Sequence, residues 1–200
     1  MYSYSRPTNQ EIEHYLKQQG QQPFSCPDVG VSRHLGDNSD NSAHNLSSRY
    51  IIDHNRVLLG SGAKVFELAK IALRNWEMFG LDWVELLWNS TPIEVGSTVG
   101  IMVQQLGIWS LNPCRIIYVF EENGSTERFG FAYGTLPDHG LCGEERFVVE
   151  WCRSNDTVWY DLLAFSRPNQ WLTRIVAWYV RRLQKRFGAG SLQAMKRAVS

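Results

Sequence analysis

The chain lacks an excess of charge of either sign. Lysine and arginine together number 20, and aspartate and glutamate also number 20. A domain that binds nucleic acid ordinarily carries a basic surplus, because its field must attract the phosphate backbone. We therefore expect no nucleic-acid partner.

The sequence also lacks a metal-binding cysteine pattern and a long apolar run. Its four cysteines form no CxxC pair and no Cys/His group at zinc spacing. No stretch reaches the roughly 18 apolar residues that would span a bilayer, and the polar N-terminus does not resemble a signal peptide. We expect a cytoplasmic protein with reduced thiols and with no metal or other cofactor.

Aromatic side chains, by contrast, are abundant. They make up 12% of the chain and include eight tryptophans, within a hydrophobic fraction of 44% that excludes global disorder. Such side chains either fill a core or line an apolar ligand pocket. Both interpretations stay open at this point, and 200 residues are enough for one domain with its own core.

Composition divides the chain into three parts. Residues 1–35 combine a short helix, for which Thr8 and Glu11 provide a capping box, with an extended segment rich in proline and glycine. Residues 36–48 are rich in asparagine and serine and are typical of a flexible loop. Residues 49–200 carry the periodic apolar patterns of an ordered α+β domain.

Within this last part, strand patterns dominate and two helices frame them. A strand at 50–59 is followed by a helical pattern at 63–76, and a long helical pattern starts near residue 170, interrupted by Gly188 and Gly190. Six strand-like runs separated by short turns lie between the helices, at 83–88, 98–106, 114–121, 128–135, 145–152 and 158–165.

Short turns between successive strands predict an antiparallel meander. A sheet with one apolar face needs a cover, and the C-terminal helix has the longest apolar stripe. We therefore predict an α+β fold in which a curved antiparallel sheet of about six to seven strands wraps around the long C-terminal helix. This is the helix-grip arrangement of START-like and Bet v 1-like proteins.

Several segments resemble a known family. They are DHNRVLLGSG, ALRNWEMFGLDWV, FGFAYGTLPDHGLCGEERFVVEW, VWYDLLAFSRPNQWL and RRLQKRFGAGSLQAMKRAV, with PFSCPDVGVSR near the N-terminus. In this order they are similar to the family of domain of unknown function 1990, also called uncharacterised protein family 0548. The resemblance covers about residues 49–199 and implies no particular activity.

The candidate ligand-binding residues are His54, Tyr133, Glu145 and Tyr160, and no residue is assigned a catalytic role. Glu145 shares a strand face with Phe147. If that face is the concave one, Glu145 lies at the mouth of an apolar pocket, where burial would raise the pKa of its carboxyl group. The alternative is an exposed carboxylate that pairs with Arg146 or Arg167.

The other candidates rest on strand alternation. Asp161 indicates that its face meets water, so Tyr160 points inward and needs a hydroxyl partner there. His54 follows Asp53, but neighbouring strand residues point to opposite faces, which favours a structural histidine; His139 is expected in a solvated turn. Alternating small residues at Gly130, Ala132 and Gly134 either leave room for a ligand or let a helix approach closely.

The C-terminal helix carries a local charge asymmetry. No acidic residue occurs from Trp171 to Ser200, and the candidate contacts for an anionic partner are Arg181, Arg182, Lys185 and Arg186. We expect the apolar face of this helix to be used in covering the sheet.

Three functions remain open on these grounds. The first is binding of an apolar small molecule or lipid in a cavity between the sheet and the C-terminal helix. The second is an enzyme of the cyclase, hydratase or hydrolase type that uses the same cavity. The third is an interaction protein whose basic helix contacts an anionic membrane or an acidic partner. The first two rest on fold-level analogy, which does not determine function.

Overall fold

The computed structural model describes residues 1–35, 46–88 and 91–200. Most of the predicted flexible loop, residues 36–45, lies outside the described residues. Eight strands are found in the part described: β1 Tyr2–Ser3, β2 Ile51–Ser61, β3 Val84–Leu87, β4 Thr98–Gln105, β5 Ile108–Glu122, β6 Thr126–Thr135, β7 Leu141–Cys152 and β8 Thr157–Pro168.

One curved antiparallel sheet contains these strands. The spatial order is β2-β8-β7-β6-β5-β4-β3, and the short β1 pairs with β5 beside this path. Strands β3 to β8 follow one another in sequence as the predicted antiparallel meander. Strand β2 precedes this meander in the chain and pairs with its last strand, β8. The edges of the sheet are therefore β2 and β3.

The α-helices that pack around the sheet include α1 Asn9–Gln19, α2 Gly62–Arg74, α3 Trp171–Ile175 and α4 Ala177–Ala198. Helices α2 and α4 lie on the concave face, which we call the inner face. Between them and the sheet is an aromatic-rich core in which Phe79 contacts the rings of Tyr133, Phe147 and Phe187. The predicted helix-grip fold is confirmed.

The expected interruption of the last helix at Gly188 and Gly190 is wrong, because α4 runs through both residues. A Cβ atom on Gly188 would lie 3.1 Å from the side-chain nitrogen of Asn55 on β2, and one on Gly190 would lie 2.8 Å from a methyl group of Leu81. These glycines let the helix approach its neighbours closely, and packing offsets their weak helix propensity.

The N-terminal segment covers part of the opposite, outer face of the sheet. The predicted capping box of α1 is present, since Thr8 and Glu11 exchange their hydrogen bonds. Farther along, the buried Glu144 accepts hydrogen bonds from the backbone N–H groups of Gly30 (2.6 Å) and Ser32 (3.2 Å). The segment before residue 36 is therefore packed onto the sheet through buried polar contacts.

The small residues of β6 have a different role from those expected. Phe129, Phe131 and Tyr133 face the inner core, so Gly130, Ala132 and Gly134 face outward. A Cβ atom on Gly134 would lie 2.9 Å from the ring of Phe24. The small residues therefore neither line a ligand space nor admit the C-terminal helix, and at Gly134 they make room for the N-terminal segment.

Candidate functional site

A cavity of about 370 Å³ lies between the inner face of the sheet and the first half of α4. The aromatic core and α2 fill the other half of the concave face, so the cavity occupies the part of the curved sheet where α4 is the cover. Most of its wall is apolar and comes from strands on one side and the helix on the other, including Ile101, Val103, Leu162, Val176, Val180 and Leu183.

One level of this wall is polar. Strand pairing places Asp53 opposite Ala164, Ala164 opposite Glu145, and Glu145 opposite Tyr133, so these four residues cross the sheet side by side. The small side chain of Ala164 leaves space between the two carboxylates. All four residues line the cavity.

Glu145 and Tyr133 form the polar centre of this level. The hydroxyl of Tyr133 donates a hydrogen bond to the carboxylate of Glu145. Burial raises the pKa of Glu145 from 4.5 to about 7, and the nearby Asp53 acts in the same direction, while the hydrogen bond from Tyr133 opposes both. Near neutral pH this carboxyl group can therefore exist with or without its proton.

The structure decides between the two interpretations of Glu145. The side chain is on the inner face, and among the described residues it forms no ion pair with Arg146 or Arg167. The expectation of an exposed carboxylate is therefore wrong. The arginine that follows it points to the outer face, because neighbouring strand residues alternate.

Tyr160 points inward, as its strand pattern predicts, but it does not line the cavity. Its side chain is fully buried, and its hydroxyl lies 2.9 Å from the hydroxyl of Ser191 on α4. This hydrogen bond satisfies both buried hydroxyl groups and attaches the second half of α4 to β8. The predicted partner of the Tyr160 hydroxyl is therefore supplied by the protein itself.

His54 lies on the outer face, away from the cavity. Its Nε2 atom is 2.6 Å from the carboxylate of Asp161 on β8, and this contact raises the pKa of the imidazole. Arg146 also binds Asp161, at 3.2 Å. The adjacent Asp53 does not orient His54, as strand alternation predicts, and the neighbouring strand provides the carboxylate instead.

His54 therefore does not converge with the other candidates. It lines a separate outer-face cavity of about 270 Å³ together with several charged side chains, among them Arg56, Arg128 and Glu150. Of the four candidates, the structure brings together Glu145 and Tyr133, places Tyr160 in the core beside them, and separates His54.

Two cavity residues were missed or misplaced by the sequence interpretation. His139 is not in a solvated turn: its ring is half-buried, lines the cavity and accepts a hydrogen bond at Nδ1 from the backbone N–H of Leu141 (2.9 Å). Burial lowers its pKa to about 4, so the ring is neutral and carries its proton on Nε2. Asp53 was not a candidate, because the pairing that brings it beside Ala164 is not visible in local periodicity.

Helix α4 is attached to three strands around the cavity. Arg181 forms a two-pronged ion pair with Asp53, Gln184 donates to the hydroxyl of Ser166 (2.7 Å), and Tyr179 donates to the side chain of Gln105 (2.8 Å). Of the basic residues predicted for an anionic partner, Arg181 is thus occupied within the protein. Arg186 lies over the ring of Trp83, while Arg182 and Lys185 are exposed.

The family match includes both the sheet with its C-terminal helix and part of the N-terminal segment. A profile described as a domain of unknown function (DUF1990) matches residues 27–194. The chain belongs to the DUF1990 family. The match starts well before Arg49, so it includes part of the segment that packs on the outer face.

Two relatives match the DUF1990 chain over nearly its whole length. A UPF0548 protein of Dictyostelium discoideum is 35% identical over 208 residues, covering 100% of this chain and 96% of the relative. A UPF0548 protein of Arabidopsis thaliana is 33% identical over 202 residues, covering 99% of this chain and 97% of the relative.

Solved structures with a distant likeness include a hypothetical protein from Helicobacter pylori, with a TM-score of 0.49, 12% identity, and coverage of 76% of this chain and 88% of that one. Norcoclaurine synthase from Thalictrum flavum in complex with dopamine and hydroxybenzaldehyde has a TM-score of 0.42, 13% identity, and coverage of 78% and 90%. At these scores, the fold assignment stands on the strand order and helix placement of the DUF1990 chain itself.

No helix in the described part of the chain is long and apolar enough to cross a membrane. The described residues also contain no group of three or more histidine, cysteine, aspartate or glutamate side chains that could hold a metal ion.

Proposed function

We propose that this DUF1990 protein binds an apolar small molecule or a lipid in the cavity beneath α4. The observation that carries the proposal is the combination of an apolar cavity of about 370 Å³ with one polar level on its wall. Ligand pockets typically have volumes of about 300–1,000 Å³ and place a few polar groups in an apolar lining.

The polar level defines the chemistry of the ligand. Below a pH of about 7, Glu145 is protonated and can donate a hydrogen bond, and the neutral His139 offers an N–H group at another part of the wall. Asp53 is neutralised by Arg181. A ligand with an apolar body and one carbonyl, carboxyl or hydroxyl group therefore fits this wall best.

Titration with a fluorescent fatty acid tests the proposal. Saturable binding is expected, and native mass spectrometry of the purified protein should detect a co-purified small molecule. Ala164→Phe fills the space between the two carboxylates, so it should weaken binding at least about tenfold. Ala63→Phe places the same ring on an exposed position of α2 and serves as the control. Equal affinity in both variants would exclude this cavity as the binding site.

A second candidate function is acid–base catalysis in the same cavity. It is favoured by one observation, the raised pKa of Glu145, because a proton-transfer group works best when its pKa is near the working pH. The test is incubation with apolar ketones in D₂O, followed by mass spectrometry of the ketone. Deuterium uptake that Glu145→Gln abolishes and Ala63→Phe retains would favour an enzyme, and no uptake above the buffer rate would exclude proton abstraction from these ketones.

A further inference from the structure

Three large apolar side chains project from the start of the C-terminal helical segment. Trp171 is 72% exposed, Ile175 is 67% exposed and Trp178 is 72% exposed. Trp171 and Ile175 are four residues apart and share one side of α3, and Trp178 follows in the first turn of α4. The two helices are separated at Val176, whose backbone lies outside the helical region (φ −100°, ψ 26°). The three exposed apolar side chains are therefore neighbours along the chain on either side of this break.

Two basic residues follow Trp178 on the same side of α4. Arg182 is four residues after Trp178 and Lys185 is three residues after Arg182, and both are exposed. Neither forms an ion pair or hydrogen bond through its side chain with another described residue. No acidic residue occurs from Leu162 to Ser200, so nothing in this segment neutralises them. We call Trp171, Ile175, Trp178, Arg182 and Lys185 the outer stripe.

The outer stripe lies beside an entrance to the cavity. Tyr179 on α4 binds Gln105 on β4, next to Leu106 in the turn between β4 and β5. Leu106 is 84% exposed and also lines the cavity, as does Val176. The cavity therefore reaches the surface where the helix and this turn meet, and exposed apolar side chains stand on both sides.

We propose that the outer stripe docks on the surface of an anionic lipid bilayer. Tryptophan is enriched at the membrane interface because its ring is apolar and its N–H group is polar, and Ile175 adds apolar area between the two rings. Arg182 and Lys185 then face lipid headgroups, where each basic residue near the surface adds attraction. The apolar side chains complement the acyl-chain region of an anionic bilayer, and the unpaired basic residues complement its headgroup region.

The sequence also predicts a possible membrane contact, but through the basic residues of the C-terminal helix alone. On that pattern the sheet is expected to cover the apolar face of the helix. In the structure Trp171, Ile175 and Trp178 stay exposed, and Val176, Val180 and Leu183 line the cavity instead. Docking itself does not depend on a bound ligand; only its use as a route for an apolar ligand into the cavity rests on the proposed function.

Vesicle flotation tests the proposal with the full chain. The protein should float with vesicles of mixed phosphatidylcholine and phosphatidylserine, bind less as salt is raised, and bind phosphatidylcholine alone weakly. Trp178→Gln should lower the partition coefficient about tenfold. Ile71→Gln on α2 is the matched control, because Ile71 is an exposed apolar helix residue (51%) outside the outer stripe.

A second pair of variants tests the charges. Removing them with Arg182→Gln and Lys185→Gln should reduce binding about fivefold for each residue, and most of this loss should vanish at high salt. Lys64→Gln on α2 removes an exposed charge elsewhere and should have little effect. Equal losses in the stripe variants and in their controls would overturn the proposal, as would absence of wild-type protein from the floating fraction.

The alternative binding partner of the outer stripe is a second copy of the chain. Light scattering after size exclusion would then show a dimer that Trp178→Gln converts to monomer, and this result overturns membrane docking. Fatty-acid titration without vesicles separates the two proposals: stripe variants should keep their affinity, whereas Ala164→Phe should lose affinity and still float with anionic vesicles.

Discussion

At the scale of single residues, the protonation of Glu145 has a measurable effect on stability. Its pKa is about 7 in the folded protein and 4.5 in its ordinary state, so between these pH values the folded protein holds a proton that the unfolded chain releases. The free energy of unfolding should therefore fall as pH rises through this window and level off above it, by up to about 3 kcal/mol.

Glu145→Gln should remove this fall, because an amide does not titrate. The measurement is urea unfolding of both proteins at several pH values from 4.5 to 8, with the difference between them plotted against pH. A constant difference in the free energy of unfolding across the window would show that the carboxyl group of Glu145 has an ordinary pKa. The Tyr133–Glu145 pair would then not change its protonation near neutral pH.

A related prediction concerns ligand affinity. Binding of a fatty acid should weaken as pH rises through about 7, because an ionised Glu145 repels the ligand carboxylate and cannot donate a hydrogen bond. Glu145→Gln keeps a donor and should bind with an affinity that is nearly constant over this range. Fluorescence titration at pH 6 and pH 8 provides the comparison, and an unchanged pH dependence in the variant would assign the effect to another group.

The pKa values of two histidines should lie on opposite sides of the ordinary value for an imidazole group. Asp161 raises the pKa of His54, and burial lowers the pKa of His139 to about 4. Heteronuclear NMR of the imidazole signals measures both, and His54→Gln and His139→Gln assign them. A signal of His139 that titrates near pH 6.5 would place its ring in solvent and return it to the solvated turn that its sequence suggests.

At the scale of strands and helices, local pattern predicted much of the fold. Alternation of apolar and polar residues located the strands, and three- and four-residue steps located α2 and α4, because burial selects for these periods. Periodicity did not reveal the outer stripe, since the pattern of apolar residues in a helical segment does not show which of them the sheet covers. Nor did it predict the continuity of α4, because the reason for Gly188 is Asn55, more than a hundred residues away.

Gly143 on β7 illustrates a contact that local sequence cannot show. A Cβ atom there would lie 2.0 Å from the backbone oxygen of Phe165 on β8, and strand backbones cannot move apart without losing their hydrogen bonds. Gly143→Ala should lower the free energy of unfolding by about 3 kcal/mol. Gly124→Ala is the control, because its Cβ atom meets only the oxygen of Thr126, at 3.9 Å. Similar denaturation midpoints for the two variants would contradict this β7–β8 geometry.

At the scale of the whole molecule, the least predictable feature is how the N-terminal segment joins the sheet. Composition separates residues 1–35 from the rest, and nothing in the local pattern links Ser32 to Glu144. In the structure, Glu144 is 3% exposed and its carboxylate is bound by donors from that segment. The same holds for the candidate site: strand pairing, which depends on contacts distant in sequence, decides that Glu145 meets Tyr133 and that His54 meets Asp161.

This packing predicts that a chain starting at Arg49 does not fold stably. Without the preceding residues, Glu144 loses its buried donors, and an apolar cluster that includes Cys142, Leu163 and Phe165 loses the cover that Cys26 and Leu35 provide. A buried carboxylate without partners and an exposed apolar patch both oppose folding. The truncated chain should lack near-ultraviolet circular dichroism and a cooperative unfolding transition.

The decisive comparison is between truncation and a single substitution in the full chain. Ser32→Ala removes one hydroxyl donor to Glu144 but keeps the backbone donors and the apolar cover, so it should cost only about 1–3 kcal/mol and leave a cooperative transition. If the truncated chain unfolds cooperatively within a few degrees of the full chain, the N-terminal segment is an appendage. If it does not, the folding unit includes that segment, in accord with a family match that starts at residue 27.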